Sequence, residues 1–116
     1  MSTKTVWITG ASSGMGHAIV EKFVQEGANV VAVARRKERL EELAAAGADL
    51  ALSGHTHNGQ MFPGNLLIRL AWKNPAGVLQ VGNMTSCVTQ GAGVWGPAMR
   101  VGTDSEVMLL HVRFAP

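Results

Sequence analysis

Two short segments of the chain carry residue types whose spacing suits known chemistry. Residues 9–16 are Thr-Gly-Ala-Ser-Ser-Gly-Met-Gly, and glycines at such spacing leave backbone N–H groups open to a phosphate at a helix start. Residues 54–60 are Gly-His-Thr-His-Asn-Gly-Gln. His55 and His57 are two positions apart, so in extended backbone both imidazoles project to the same side, as metal ligands would. The sequence therefore predicts a phosphate-binding turn and a metal-binding turn.

The glycine turn is flanked by the elements that would position it. Thr5–Thr9 and Asn29–Ala34 are short, apolar and rich in β-branched residues, which predicts two buried strands. Gly14–Glu26 and Arg35–Ala46 have apolar residues at helical spacing, and a glycine follows each, which predicts two amphipathic helices. Strand, turn, helix, strand and helix in this order indicate a right-handed parallel βαβ unit.

The glycine spacing, with its preceding threonine, resembles the short-chain dehydrogenase/reductase family over about residues 5–43. The resemblance implies that the first glycine allows the sharp turn, the second lets a phosphate approach, and the third packs the helix on the strand. It implies NADP in preference to NAD, because arginines stand where an NAD enzyme places a carboxylate, and a guanidinium suits a 2′-phosphate. The implied cofactor-binding residues are Gly10, Ser12, Ser13, Gly14, Met15, Gly16, Arg35 and Arg36.

The residues with which that family catalyses hydride transfer are missing. Family members use a Tyr-x-x-x-Lys pair and a serine, whereas this chain contains no tyrosine. It also lacks the Asn-Ala-Gly segment that holds the nicotinamide ribose and the Asp-containing adenine pocket. Composition therefore excludes dehydrogenase chemistry by the family's mechanism, and only the phosphate and ribose half of the cofactor site remains.

The histidine turn follows a third apolar run, Asp49–Ser53, which predicts another strand. Here the sequence resembles the calcineurin-like metallophosphoesterases, whose last metal motif is Gly-His-x-His, over about residues 48–114. The resemblance continues through motifs at 91–93, 95–97 and 100–102 to a closing strand at Glu106–Leu110. It implies that His55 and His57 would each bind one metal, zinc or another divalent ion, of a two-metal centre.

The carboxylates that such a centre requires are missing. The family's Asp-x-His, Gly-Asp-x-x-Asp and Asn-His motifs are absent, and Asp49 and Asp104 are the two aspartates of the sequence. A catalytic zinc needs three protein ligands and an open position, which two imidazoles do not supply. The alternative function is therefore a metal-binding protein, or a residual metal-dependent phosphoesterase, in which His55 and His57 complete a site only within an oligomer.

The two incomplete sites predict a hybrid chain. We expect an α/β fold with a single mixed sheet, a parallel βαβαβ N-terminal part followed by antiparallel C-terminal strands. Residues 1–47 would form a Rossmann-like half and residues 48–116 a metallophosphoesterase-like half, joined within Leu43–Asp49 as one folded unit. The leading hypothesis is a chimeric domain, engineered or recombined, with no evolved catalytic activity and weak NADP(H) or phosphate binding. A folded protein without any ligand is a third interpretation.

Composition sets the remaining expectations. The chain has 116 residues, of which 47% are hydrophobic, as is typical of one globular domain. Residues 51–116 contain only six charged side chains, so we expect a second copy to bury part of this half, with a dimer favoured. The net charge of +2 gives no reason to expect nucleic acid, and no apolar run is long enough for a membrane helix. The lone Cys87 and the absence of a signal-peptide pattern predict a cytoplasmic protein.

Overall fold

A computed structural model describes residues 4–11, 14–34, 39–54 and 56–113 of the chain, and its strands form one mixed sheet. The strands are β1 (Thr5–Thr9), β2 (Asn29–Val33), β3 (Leu50–Ser53), β4 (Gly77–Val81) and β5 (Met84–Val88). Their order across the sheet is β1-β2-β3-β5-β4. The first three strands and β5 are parallel, and β4 pairs antiparallel with β5 at the edge. The predicted fold class, α/β with one mixed sheet, is confirmed.

Three α-helices connect the strands: α1 (Gly14–Gln25), α2 (Leu40–Ala45) and α3 (Gly64–Ala71). The helix predicted over Gly14–Glu26 therefore ends within one residue of its expected position. The second helix begins at Leu40, and residues 35–38 of its predicted range lie outside the described residues. Within the described part of the chain, none of the helices has the length and apolarity needed to cross a membrane.

The main core lies on one face of the sheet. Val20 of α1 and Leu43 of α2 are fully buried there and pack in one cluster with Val30 and Ala51 of the neighbouring strands. Both helices lie on this face because two right-handed crossovers that add strands in the same direction place their helices on the same side. Each large apolar side chain buried in this way stabilises the fold by about 1.5–3 kcal/mol.

The second face of the sheet carries a smaller cluster. Val31, Leu50 and Cys87 are buried on it, with Leu52 packed against them, so this cluster contains strand residues and no helical ones. Part of residues 103–113, a segment here called the strap, lies next to this face. Met108 of the strap borders the same cavity as the Leu52 and Cys87 side chains. At this cavity the second face therefore borders irregular chain.

The closing strand predicted at Glu106–Leu110 is wrong. The strap has no regular secondary structure, and His111 within it is exposed. A strand needs the free edge of another strand for its backbone hydrogen bonds, whereas the strap lies beside the face of the sheet. Apolar side chains suit either position, so their pattern does not distinguish a strand at an edge from chain that packs on a face.

Candidate functional site

The glycine turn between β1 and α1 adopts backbone conformations that require glycine at two positions. Gly10 has φ +69° and Gly14 has φ +54°, both in the left-handed region that other residues adopt only with strain. Among the described residues, a Cβ atom built on either glycine would meet no atom within 4 Å. The turn therefore has an open side, and no side chain from Gly10 or Gly14 projects into it.

Gly16 is constrained by packing instead. A Cβ atom at this position would lie 2.2 Å from the carbonyl oxygen of Gly10 and 3.2 Å from the Cα atom of Ala11. The start of α1 thus rests directly on the turn, and the buried Ala11 ties the turn to the end of β2 through a 3.3 Å N–H···O bond to Val33. The first turn of α1 contains no acidic residue that would repel an anion.

The predicted cofactor residues are brought together only in part. Gly10, Gly14 and Gly16 surround the start of α1, and the side chain of Met15 is exposed beside them. Ser12, Ser13, Arg35 and Arg36 lie outside the described residues. A pyrophosphate fits the described part of the turn, because a helix N-terminus and two glycines without close neighbours leave backbone N–H groups accessible.

The position of β1 limits what this turn can hold. In a doubly wound sheet the cofactor crevice opens where strands are added first on one side and then on the other side of the first strand. Here every further strand lies on the β2 side, and β1 forms an edge of the sheet. The edge-strand residue Trp7 is accordingly 59% exposed. Among the described residues no strand forms the second wall of a cofactor crevice.

The histidine turn differs from its predicted geometry. His55 lies outside the described residues, and His57 begins a 3₁₀ turn, His57–Gly59, with φ +49°. Asn58, buried in the same turn, also has a positive φ of +50°. The extended backbone expected for the pair is therefore wrong at His57. A turn with positive φ does not alternate its side chains as a strand does, so spacing alone no longer places both imidazoles on one side.

One ring nitrogen of His57 is in contact with an arginine side chain. Nη2 of Arg100 lies 3.1 Å from Nδ1 of His57, and because an arginine nitrogen cannot accept a hydrogen bond, this contact favours the His57 tautomer that carries its proton on Nε2. A metal on Nε2 would require that proton to move to Nδ1, where it would face a donor. A metal on Nδ1 would have to displace the guanidinium. This arrangement opposes metal binding by His57.

Arg100 and Gln60 organise this region through their hydrogen bonds, and neither is among the site residues predicted from sequence. Nη2 of Arg100 also donates to the carbonyl oxygens of Gln90 at 2.7 Å and Gly93 at 2.7 Å. The buried Gln60 amide donates to the carbonyl of Trp95 at 2.6 Å and accepts from its N–H at 2.5 Å. Isolated polar residues in a segment with so few charges are the sequence signal that could have identified them.

Carboxylates do not complete a metal centre in the described part of the chain. No group of three or more His, Cys, Asp or Glu side chains there is arranged to hold an ion. Asp49 serves the sheet instead, since its Oδ2 accepts a 2.7 Å hydrogen bond from the N–H of Val30. Asp104 is exposed on the strap. The geometry therefore favours the glycine turn over the histidine turn as the site for a ligand.

A βαβ unit whose first strand leads through a glycine turn into a helix defines a Rossmann-like α/β protein, and sequence comparison agrees. Residues 4–58 match the model of the short chain dehydrogenase family. Serine 3-dehydrogenase of Agrobacterium fabrum is 56% identical over 41 residues, 35% of this chain and 16% of that relative. A dehydrogenase/reductase named SDR family protein 7-like, from Anopheles gambiae, is 30% identical over 118 residues, 98% of this chain and 37% of that relative.

The second similarity is to phosphoesterases. An uncharacterized metallophosphoesterase of Campylobacter jejuni is 44% identical over 66 residues, 56% of this chain and 18% of that relative. The chain thus spans less than a fifth of the length of this phosphoesterase and of the serine dehydrogenase. No solved structure matches. The dual similarity predicted from the two turns, to short-chain dehydrogenases and to metallophosphoesterases, is confirmed.

Proposed function

We propose that the chain binds the diphosphate part of a nicotinamide dinucleotide, NADP(H) in preference to NAD(H), at the glycine turn, and that it performs no hydride transfer. The observation that carries this proposal is the turn itself. Within the described part of the chain, Gly10 and Gly14 leave open space in front of the start of α1, and Gly16 allows the helix to rest on the turn. A helix N-terminus with accessible backbone N–H groups binds phosphate without help from distant residues.

We expect the affinity to be low. The turn lies at the end of an edge strand, so the cofactor would contact protein on one side only. The nicotinamide half would then remain in solvent, since its ribose-binding segment is absent from the sequence. The absence of tyrosine removes the family's proton donor, so a bound cofactor would have no catalytic partner of the kind that this family uses.

The proposal includes an origin for the chain. A short chain dehydrogenase match over residues 4–58, together with a phosphoesterase similarity over 56% of the chain, supports assembly from pieces of two parents. Neither piece contains all the catalytic residues of its family. Their absence from both pieces is consistent with a chimeric α/β domain that has no evolved reaction. The metal-binding alternative has less support, because the guanidinium of Arg100 occupies the His57 ring.

Titration with NADPH, followed by the fluorescence of the bound cofactor, tests the binding proposal. We expect saturation at submillimolar to millimolar cofactor and loss of saturation in Gly16→Val, whose side chain would collide with the Gly10 carbonyl. Gly93→Val is the matched control, because a Cβ atom at that position meets nothing within 4 Å. Circular dichroism verifies that both variants are folded. An unchanged spectrum at millimolar NADPH would refute the proposal.

The choice between the two cofactors needs a second variant. If Arg35 contacts the 2′-phosphate, Arg35→Ala should weaken NADPH binding about tenfold and leave NADH binding unchanged, since one charged hydrogen bond is lost. Arg39→Ala, at an arginine whose guanidinium lies 3.5 Å from Glu42, is the control for a general loss of positive charge. Equal effects of both variants on both cofactors would show that Arg35 does not distinguish them.

A further inference from the structure

The strand β1 has one edge with which no other described strand pairs. Its opposite edge pairs with β2, and the N–H of Asn29 in β2 donates to the Lys4 carbonyl at 2.8 Å. Because the backbone groups of successive strand residues point to opposite neighbours, the even-numbered residues of β1 face β2 and the odd-numbered ones face the open edge. The residues whose N–H and C=O groups face the open edge are Thr5, Trp7 and Thr9.

The sequence of β1 is nearly the same in both directions. It reads Thr-Val-Trp-Ile-Thr, with a threonine at each end and a β-branched apolar residue on each side of Trp7. Antiparallel pairing of two copies centred on Trp7 would place Thr5 opposite Thr9 and Val6 opposite Ile8, which are pairs of matched type. The same register pairs every outward N–H with a C=O of the other copy. The strand contains neither a charged residue nor a proline that would block such pairing, so its edge fits a second copy of this chain.

Exposed apolar side chains lie on both sides of this edge. Trp7 is 59% exposed and is in register with Val31, on the second face of the sheet. On the face that carries the helices, Ile19 of α1 is 43% exposed. Helical spacing places Ile19 about 140° around α1 from Val24, which lies beside Gly47 after α2, so Ile19 is on the flank nearer the open edge. Pairing with a second copy would bury both Trp7 and Ile19.

The same register brings Lys4 of one copy to the glycine turn of the other. Beyond the pair of Thr5 and Thr9, the next opposed positions are Lys4 and Gly10. Lys4 is exposed, and its side chain points to the face that carries α1, because it alternates in phase with the buried Ile8. Within one chain the six residue steps from Lys4 to Gly10 span about 20 Å, which is farther than a lysine side chain reaches. Lys4 therefore adds positive charge to the glycine turn only across the pair.

We propose that a second copy of the chain pairs antiparallel with the open edge of β1 when a diphosphate is bound at the glycine turn, and that Lys4 of the partner subunit binds this diphosphate. This proposal rests on the nucleotide binding proposed above. It supplies a strand on the side of the turn where one chain has none among its described residues. The pairing requires the ligand, because a contact of five residues per strand is only marginally stable by itself. It is therefore distinct from association of the ligand-free chain through other surfaces.

The dependence of NADPH binding on protein concentration tests the role of Lys4. The apparent affinity of the native chain, followed by cofactor fluorescence, should increase with protein concentration, because a pair of chains binds better than a single chain. Lys4→Ala should weaken binding about tenfold at high protein concentration and abolish this dependence, since one charged hydrogen bond is lost. Lys73→Ala, at an exposed lysine paired with Glu41, is the matched control and should bind like the native chain.

Disulfide trapping tests the register of the two strands. In a Cys87→Ala background, which removes the buried native thiol, two copies of Trp7→Cys should crosslink on mild oxidation. Their Cα atoms would be about 5.5 Å apart, within the range for disulfides. NADPH should accelerate this reaction about tenfold, because ligand and partner strengthen each other's binding by the same factor. Thr5→Cys should crosslink with Thr9→Cys but not with itself, and both variants keep Trp7. Val78→Cys, exposed on the outer strand β4, is the control and should not respond to NADPH.

Two results would overturn this proposal alone. The first is NADPH binding that is independent of protein concentration and unchanged in Lys4→Ala, in which case nucleotide binding at the turn would stand. The second is crosslinking of Trp7→Cys that NADPH does not accelerate, although the chain binds NADPH. No NADPH binding at any protein concentration would overturn both this proposal and the proposed function.

Discussion

Arg100 connects two loops that no secondary structure joins. Nη2 of its guanidinium lies within hydrogen-bond distance of the carbonyl oxygens of residues 90, 91 and 93 and of the ring of His57, 43 positions earlier in the chain, and its two N–H groups are shared among these acceptors. Nε of Arg100 also donates to the Gly93 carbonyl at 3.2 Å, and the planar guanidinium directs its N–H groups to several acceptors at once, which an ammonium group cannot do with the same geometry. The conformation of the histidine turn therefore depends on a residue far away in sequence.

Arg100→Ala should lower the free energy of unfolding by about 2 kcal/mol, because carbonyls that accept from a charged donor would lose their partner. Arg100→Lys should recover only part of this loss, since lysine cannot reproduce the planar fork. Urea denaturation measures both effects. Arg69→Ala is the control, because Arg69 is exposed on α3. If the Arg100→Ala and Arg69→Ala variants unfold at the same urea concentration, the hydrogen bonds of Arg100 do not stabilise the fold.

The backbone conformation of the glycine turn could be predicted from sequence, whereas that of the histidine turn could not. Positive φ at Gly10 and Gly14, and the close approach at Gly16, are local requirements that a glycine at the right spacing reveals directly. The backbone at His57 adopts positive φ although histidine does not favour it. Arg100 and neighbouring loops impose that conformation, and spacing within one short motif carries no information about them.

The helices and strands that could be predicted are those with a clear hydrophobic pattern and with residues in the sequence that mark their ends. β1, α1, β2 and β3 each consist of one clear pattern, and a glycine follows β1, α1 and α2. The segment that forms α3 could not be assigned, because a short apolar run is compatible with either a strand or a helix, and α3 has only eight residues. The strand predicted within the strap is wrong for a related reason. An apolar run does not show whether the segment pairs with the edge of a sheet or packs on its face.

The glycine that follows α2 lies where the two predicted halves of the chain, residues 1–47 and 48–116, meet. Gly47 has φ +88°, and a Cβ atom there would lie 2.6 Å from Cγ1 of Val24 in α1. Gly47→Ala combines left-handed strain with this collision, so it should lower the free energy of unfolding by about 1–3 kcal/mol. Gly93→Ala has neither problem and should be neutral. Thermal and urea unfolding of the two variants measure the difference, and equal stabilities would contradict this role of Gly47.

For the whole molecule, strand order is the property that the sequence left open and that matters most. Each strand pattern is compatible with either side of β1, and only long-range packing decides between them. Every further strand lies on one side of β1, which leaves the glycine turn at an edge of the sheet. The principal-axis extents of the chain are 49 × 26 × 22 Å. The Cα radius of gyration of 15.1 Å exceeds the about 13 Å of a compact domain of this length.

An elongated shape with few charges leaves apolar surface exposed, and α3 shows this most clearly. Leu66, Leu67 and Leu70 on this helix are exposed, the last by 86%, and no residue of α3 is buried. Contiguous apolar surface of this kind is typical of protein interfaces. We propose that two copies of the chain associate through α3, because a C2 dimer would bury the same helix from both chains.

Sedimentation velocity tests this proposal. The native chain should sediment as a dimer at micromolar concentration, and the double variant Leu66→Glu, Leu70→Glu should sediment as a monomer, because two buried carboxylates per chain would remain unpaired in the interface. Gln25→Glu together with Asn83→Glu adds the same charge at exposed polar positions and should leave the dimer intact. A native chain that is already monomeric, or a Leu66/Leu70 variant that stays dimeric, would show that α3 is not the interface.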